Sequence, residues 1–196
     1  MKNWDLGLSK SDFRLRLELG GEVFHNIDQP VPRFLQAFDR ARAIADALFT
    51  PDAKVIGVVS MQRPRVFGRL KKLGFDMSLE TERWKALCHY ADLDDIDEDV
   101  DVDWNWRRFD VSGNRVMRDT LIWGAITPEM PIAPRISGDV FLIGDGPVAP
   151  VLMRIYDDRG MDVMSETAAG LQKIRADFDA WILDYDRDRI DGVFGS

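Results

Sequence analysis

The sequence predicts an α+β fold: a single domain with a mainly antiparallel sheet, packed by a helix in its N-terminal half and a helix near its C-terminus. Three observations predict this. Residues 13–19 alternate apolar and polar with a period of two, as in a strand with one solvated face. The segments DVFLIG, PVLMRIYD and MDVMS follow one another with only short turns between them, as in a meander. Helical apolar patterns lie before and after these strands.

The elements of the N-terminal half follow from their apolar spacing. A helix is predicted over Arg33–Phe49, with Gly20-Gly21 before it and Pro51 after it. KVIGVVSM is a continuous apolar run and predicts a buried strand. RVFGRLKKLGF predicts a short basic helix with Gly74 near its C-terminal cap. The predicted apolar stripe of the long helix consists of Phe34, Leu35, Phe38, Ala41, Ile44, Ala45 and Leu48.

The later half contains a predicted hairpin and a predicted closing helix. VDWNWRRFDV and RVMRDTLIWGAIT flank the turn residues SGN, which predicts two strands joined by a tight turn. The closing helix is predicted over Thr167–Leu183, with apolar residues along one side. We expect Asp184 or Asp186 to cap a last short helix, if one follows.

Three stretches carry a family resemblance: LELGG (Leu17–Gly21), IYDDRGMDVM (Ile155–Met164) and WILDYDRDRID (Trp181–Asp191). In their order and spacing they resemble DUF3885, a bacterial domain family of unknown function. The resemblance is strong over about the last fifty residues and weak over the first sixty. It implies one DUF3885-like domain over residues 1–196. The family's association with Rhs-type polymorphic toxins implies that immunity to a toxin is a plausible role for its members.

The net charge of −8 is concentrated in one segment. The chain has 34 acidic and 26 basic residues, and eight of the acids lie in DLDDIDEDVDVD (Asp92–Asp103), so the other 26 acids balance the bases. Such a segment repels nucleic acid and favours a basic protein partner. A calcium loop of the EF-hand type would need a glycine at its sixth position, which this segment lacks. A solvated loop, with or without incidental cation binding, is the alternative to a docking surface. The contacts predicted for the docking surface are Asp94, Asp95, Asp97, Glu98, Asp99 and Asp101.

Several function classes lack their sequence signals. The chain has one cysteine, Cys88, so it forms no internal disulfide. Neither a secretory signal nor an apolar run long enough for a membrane span is present, and we expect a cytoplasmic protein. No phosphate-binding loop and no zinc-spaced Cys/His set is present, so we expect no cofactor and no metal. Cys88 and His89 are neighbours that face different directions on a helix, which disfavours a catalytic dyad.

The charged residues of the late motifs have two interpretations. YDDRG predicts a hairpin turn with Gly160 in the left-handed conformation. The alternative is a metal-assisted hydrolase that uses Asp157, Asp158 and Asp162 with Arg159 as an anion holder. LDYDRDRID predicts an ion-paired helix face, with partners four residues apart such as Arg187 and Asp191.

The functional expectation is a non-enzymatic immunity protein that binds and neutralises a basic toxin domain through its acidic segment. The hydrolase and a purely structural domain are the alternatives. We expect no nucleic-acid partner, because the acidic segment adjoins the tryptophans of residues 104 and 106 that would otherwise be candidates for base stacking.

Overall fold

The computed structural model describes residue 8 and residues 11–23, 30–61, 65–76, 105–128, 135–136 and 138–195. In these ranges six strands form one antiparallel sheet in the order β1-β6-β5-β4-β2-β3. Helices flank the sheet, so the predicted α+β class with an antiparallel sheet is confirmed. The strands are β1 (Arg14–Glu18), β2 (Val55–Met61), β3 (Asn105–Asp110), β4 (Val140–Asp145), β5 (Pro150–Ile155) and β6 (Gly160–Ser165).

The predicted meander forms the middle of the sheet. β4 pairs with β5 and β5 pairs with β6, each through a hairpin. Every residue of β6 is buried, whereas β1 alternates half-buried and buried residues. The period of two in β1 therefore reports a half-buried face, which carries Arg14, Arg16 and Glu18, opposite a buried face.

The long helix α1 (Val31–Leu48) packs its apolar stripe against the sheet. Its buried residues recur every three or four positions, which is the spacing that places them on one face. Phe34 and Leu48 are fully buried and Phe38 is partly buried, as predicted. Leu35 is an exception: it is 49% exposed, because it lies about 100° around the helix from Phe34, at the edge of the stripe.

The predicted hairpin around SGN is wrong in its second half. Residues 115–126 form a helix, α3 (Arg115–Ile126), that follows β3. Asn114 caps it, because its side-chain oxygen accepts a hydrogen bond from the backbone nitrogen of Met117 at 3.1 Å. Trp123 packs edge-on against Phe38 of α1 at 5.5 Å between ring centroids. The turn residues of SGN thus begin a helix rather than a returning strand.

The predicted closing helix is interrupted. A short helix α4 (Gln172–Asp177) ends at Phe178, whose ring stacks on Trp181 at 4.8 Å. Ile182 then adopts an extended conformation and forms a β-bridge with Leu17 at the edge of β1. This bridge provides hydrogen-bond partners for backbone groups at the edge of β1, which a continuous helix would leave unpaired.

A last helix, α5 (Asp184–Phe194), completes the described chain. Leu183 occupies its N-cap position without a side-chain hydrogen bond, so the predicted capping by Asp184 or Asp186 is wrong. Both aspartates lie in the first turn, where the helix dipole favours negative charge.

The basic helix α2 (Arg65–Lys72) is present, and Gly74 after it has a φ of 89°, as its predicted capping role requires. Among the described residues, no helix combines the length and apolar content of a membrane-spanning segment.

Candidate functional site

The predicted partner-binding segment lies outside the described residues. This applies to the whole run Asp92–Asp103 and to the six partner contacts predicted within it. The two histidines, Cys88 and Trp104 also lie outside. The alternative site, around residues 157–162, is fully described.

The hairpin turn between β5 and β6 forms as predicted. The backbone nitrogen of Tyr156 donates to the carbonyl of Gly160 at 3.2 Å. Asp157 closes the turn, because its carboxylate accepts from the backbone nitrogen and from Nε of Arg159, both at 2.8 Å. Asp157 and Arg159 are therefore partners of one another within the turn.

The predicted left-handed conformation of Gly160 is wrong. Among the described residues, positive φ occurs only at Gly21, Gly74, Gly113 and Gly195. Gly160 is the first residue of β6, and a Cβ there would lie 3.2 Å from the carbonyl oxygen of Leu17 on the neighbouring strand. The side chain of Asp157 closes the loop, so no residue has to adopt the left-handed conformation.

Asp158 points away from the turn towards α1. Its carboxylate pairs with Arg33, and both side chains are nearly buried, with 13% and 12% exposed. Arg33 also donates from Nη1 to the carbonyl of Val23 at 2.7 Å. The carboxylate is therefore a structural anchor between the hairpin, the first helix and the chain that precedes that helix.

The face of α1 that carries Arg33 also binds the LELGG stretch. Gln36 donates to the carbonyl of Gly20 at 2.5 Å, and Arg40 donates to the carbonyl of Glu18 at 3.1 Å. A Cβ at Gly20 would collide with the guanidinium of Arg33. The glycine pair thus permits three polar side chains of one helix to approach the backbone closely.

Asp162 lies on the opposite face of the sheet, with 1% of its side chain exposed. It is directly paired in register with Arg16 of β1 and Arg154 of β5. Nε of Arg16 lies 3.3 Å and Nη1 of Arg14 lies 3.8 Å from its carboxylate. Arg154 instead binds Asp139, with 2.9 Å from Nη2 to the carboxylate.

Tyr156 lies between two of these arginines. The guanidinium carbons of Arg154 and Arg16 are 5.2 and 5.8 Å from its ring centroid. Its hydroxyl is buried and makes no hydrogen bond of ordinary geometry with the described residues. Burial, and then the nearby negative charge of Asp162, raise the pKa of Tyr156. Asp162 lies close enough to raise this pKa, but its distance and angle to the hydroxyl are not those of a hydrogen bond, so the hydroxyl has no partner in the part of the chain that the structure describes.

Helix α5 joins this polar cluster from the edge of the sheet. Arg189 donates to the carbonyl of Arg14 at 3.1 Å and to both carboxylate oxygens of Asp186 at 2.7 Å. The hydrogen bond from Arg189 is the main cause that lowers the pKa of Asp186. Tyr185 accepts a long contact of 3.5 Å from Arg16. The third family motif therefore lies beside β1, in which the first motif begins and which pairs with β6 of the second.

The ion pairs of α5 differ from the predicted pairs. Arg187 pairs with Asp179 at 2.8 Å and with Asp184, three residues before it, at 3.3 Å. Asp191 pairs instead with Arg175 of α4 at 2.5 Å. The ion-paired character of the helix is as predicted, but α4 supplies a partner because the chain folds back at Phe178.

The three carboxylates of the alternative site do not converge. Asp157 remains in the turn, Asp158 contacts α1 and Asp162 lies on the other face of the sheet. In the described ranges, no three side chains of the His, Cys, Asp or Glu type are grouped as metal ligands. Each carboxylate instead has an arginine partner, an arrangement that stabilises a fold.

Sequence reasoning missed most of these arginine partners. The alternation in β1 does place Arg14 and Arg16 on one face, so a signal for them exists. Arg33 gives no such signal, because its partner lies 125 positions away in the chain.

The comparisons with known proteins identify one family over most of the chain. The model of the family described as "Domain of unknown function (DUF3885)" matches residues 8–186. No curated protein and no solved structure matches the chain.

Proposed function

Because the chain belongs to the DUF3885 family, whose function is unknown, we propose from its own charge distribution that it is a non-enzymatic binding protein for a basic protein partner. The observation that carries this proposal is the run Asp92–Asp103, in which eight acidic residues supply the whole net charge of −8. Carboxylates at this density repel one another, and a cationic surface relieves that repulsion. Opposite charge also accelerates association with such a surface.

The partner class that fits best is a toxin domain that acts on nucleic acid. Such domains need a basic cleft to hold phosphates, and an acidic segment can occupy that cleft in place of the phosphates. The family's association with polymorphic toxins, implied by the three motifs, points to the same class. We also propose that the chain neutralises the toxin domain in the cytoplasm of the cell that produces it.

The hydrolase alternative has less support. It requires Asp157, Asp158 and Asp162 to act together, and each of them is engaged by a different arginine. A deprotonated carboxylate that is already paired and points away from its neighbours is a poor metal ligand or general base. No observation among the described residues favours this alternative over binding.

The test is protection of a cell that expresses a candidate toxin domain, which is to be sought among the genes next to the one that encodes this chain. We expect the parent chain to protect the cell. We expect Asp94→Asn, Asp95→Asn, Asp97→Asn and Asp99→Asn together to slow association severalfold at low salt, and less at high salt, because salt screens the steering.

A matched control removes four negative charges elsewhere on the surface, through Asp39→Asn, Asp52→Asn, Asp184→Asn and Asp188→Asn. All four residues are exposed in the structure. If this control slows association as much as the first variant, only net charge matters and the segment has no special role. Equal protection and equal association rates for all three proteins contradict the proposal.

A further inference from the structure

A cavity of about 320 Å³ opens where the end of α1 approaches the start of α3. Small-molecule sites in proteins occupy roughly 300–1,000 Å³, so this volume suits a small ligand. Most of the cavity surface is apolar, and its apolar lining includes Phe49, Ala53, Val55 and Val111. These residues belong to the core and are at most 7% exposed, so the cavity opens directly onto the hydrophobic interior.

Two arginines and one aspartate supply the charged groups of this cavity. Arg118 is 7% exposed, a rare degree of burial for a guanidinium. Its Nη2 binds Asp46 and lies 3.1 Å from Asp119, and its Nε lies 3.3 Å from Asp119. Arg115, which is more exposed, binds Asp46 through Nη2 at 2.6 Å.

One nitrogen of each arginine remains available to a ligand. Nη1 of Arg118 and Nη1 of Arg115 make no hydrogen bond to a described residue. The two carboxylates that hold Arg118 fix its guanidinium in one orientation, so a ligand would not have to order it. Asp46 has 41% of its side chain exposed, so solvent partly screens its charge at the mouth of the cavity.

We propose that this cavity binds a small organic monocarboxylate whose body is apolar. The planar guanidinium matches a carboxylate in geometry and charge, which accounts for the head group. The apolar floor of the cavity would contact the apolar body of the ligand. Polar groups on that body would lose their hydration without gaining hydrogen-bond partners. A dianion such as phosphate fits less well, because Asp46 and Asp119 already balance the charge of the two arginines.

The probe is benzoate, compared with benzamide, which has the same ring and shape but no charge. Saturation-transfer NMR and calorimetric titration of the purified chain measure both. We expect saturable binding of benzoate, and binding of benzamide weaker by about tenfold or more, since a hydrogen bond to a charged group contributes about 1.5–3 kcal/mol.

Two variants assign the binding to this cavity. Arg115→Gln removes one charge at a position with 59% of its side chain exposed, and should weaken benzoate by about tenfold without unfolding the chain. Ala53→Leu fills the floor and should abolish binding. The matched control, Arg42→Gln, removes an arginine from the surface of α1, where it pairs with Asp39, and should bind benzoate like the parent. Thermal unfolding followed by circular dichroism shows that each variant is folded.

Three outcomes overturn the proposal. The first is no saturation by benzoate at about 10 mM, a concentration that detects even a millimolar site. The second is equal binding of benzamide, and the third is unchanged binding in both cavity variants. A hexapeptide that ends in phenylalanine presents the same chemistry: if it binds and benzoate does not, the cavity accepts a protein C-terminus and the small-molecule assignment is wrong. The assays contain no toxin, so their result is independent of the proposed binding function.

Discussion

Arg33 and Asp158 form an ion pair across 125 positions of the chain, between the first turn of α1 and the hairpin of β5 and β6. Arg33 also binds the carbonyl of Val23, so one side chain links three separate segments. Asp158, which the hydrolase alternative would use as a metal ligand or base, is thereby an anchor in the fold. The pair is nearly buried, which makes the loss of one partner costly.

We expect Asp158→Ala to destabilise the protein by about 3 kcal/mol, because it leaves the Arg33 guanidinium buried without a counter-ion. Urea unfolding measures this. The double variant Arg33→Met with Asp158→Leu should recover most of the loss, since no unpaired charge remains. Arg159→Ala, at a position with 78% of its side chain exposed, is the control and should cost less than about 1 kcal/mol. Equal losses for the two single variants would contradict the anchor role.

Gly21 is the glycine whose backbone conformation the fold requires most clearly. Its φ is 53°, and a Cβ there would also meet Arg40 and Gln36 at 2.8 Å. Gly21→Ala should therefore destabilise the protein by about 1–2 kcal/mol. Gly68 lies within α2 with open space around it, so Gly68→Ala should instead stabilise by roughly 0.5–1 kcal/mol. Thermal melts of the two variants should move in opposite directions, and a common direction would refute the assignment.

The buried hydroxyl of Tyr156 has no hydrogen-bond partner among the described residues, so its removal should cost little. We expect Tyr156→Phe to be as stable as the parent or more stable by up to about 1 kcal/mol, because an unsatisfied buried polar group is itself a penalty. Urea unfolding measures the difference. A loss of more than about 1 kcal/mol would mean that the hydroxyl does bond to Asp162. Tyr185→Phe, at a position that is 69% exposed, is the matched control.

Asp186 makes the stability depend on acid pH. Its pKa is lowered in the folded chain, first by the hydrogen bond from Arg189, while the unfolded value is about 3.9. A carboxyl group whose pKa is lower in the folded chain stabilises the fold fully at pH values above its unfolded pKa. This stabilisation is lost as the pH falls through the folded pKa. We therefore expect Asp186→Asn to be less stable than the parent at pH 7 and to differ less from it at about pH 3, which lies below the unfolded pKa.

The measurement is urea unfolding at both pH values. Asp184→Asn provides the control two residues earlier in the same turn, because the Asp184 side chain is fully exposed, and it should cost less stability at pH 7 than Asp186→Asn. If Asp186→Asn shows the same pH dependence as the parent, the carboxylate of Asp186 does not contribute to acid sensitivity.

Local patterns were sufficient for most of the sheet and for α1. The alternation in β1, the apolar runs of β2 and β4 to β6, and the 3.6-residue stripe of α1 each depend on residues within one segment. The same reasoning failed at residues 111–126, where SGN predicted a hairpin. Turn residues are equally suited to starting a helix, and Asn114 is a good cap as well as a turn residue. Residues 115–126 therefore form a helix, and its residues Leu121 and Ile122 are buried in the core.

The candidate sites likewise combine features that local patterns predict with contacts that those patterns do not predict. Local patterns were enough for the α+β class, the three family motifs and the concentration of charge in Asp92–Asp103, because each depends on residues close together in the chain. The fold, and not local spacing, separates Asp157, Asp158 and Asp162: Asp158 contacts α1 and Asp162 lies on the other face of the sheet. It also placed Arg115 and Arg118 beside Asp46, which precedes them by 69 and 72 positions. The partner of a charged side chain is chosen by strand order and helix packing, and contacts at such separations have no counterpart in local spacing.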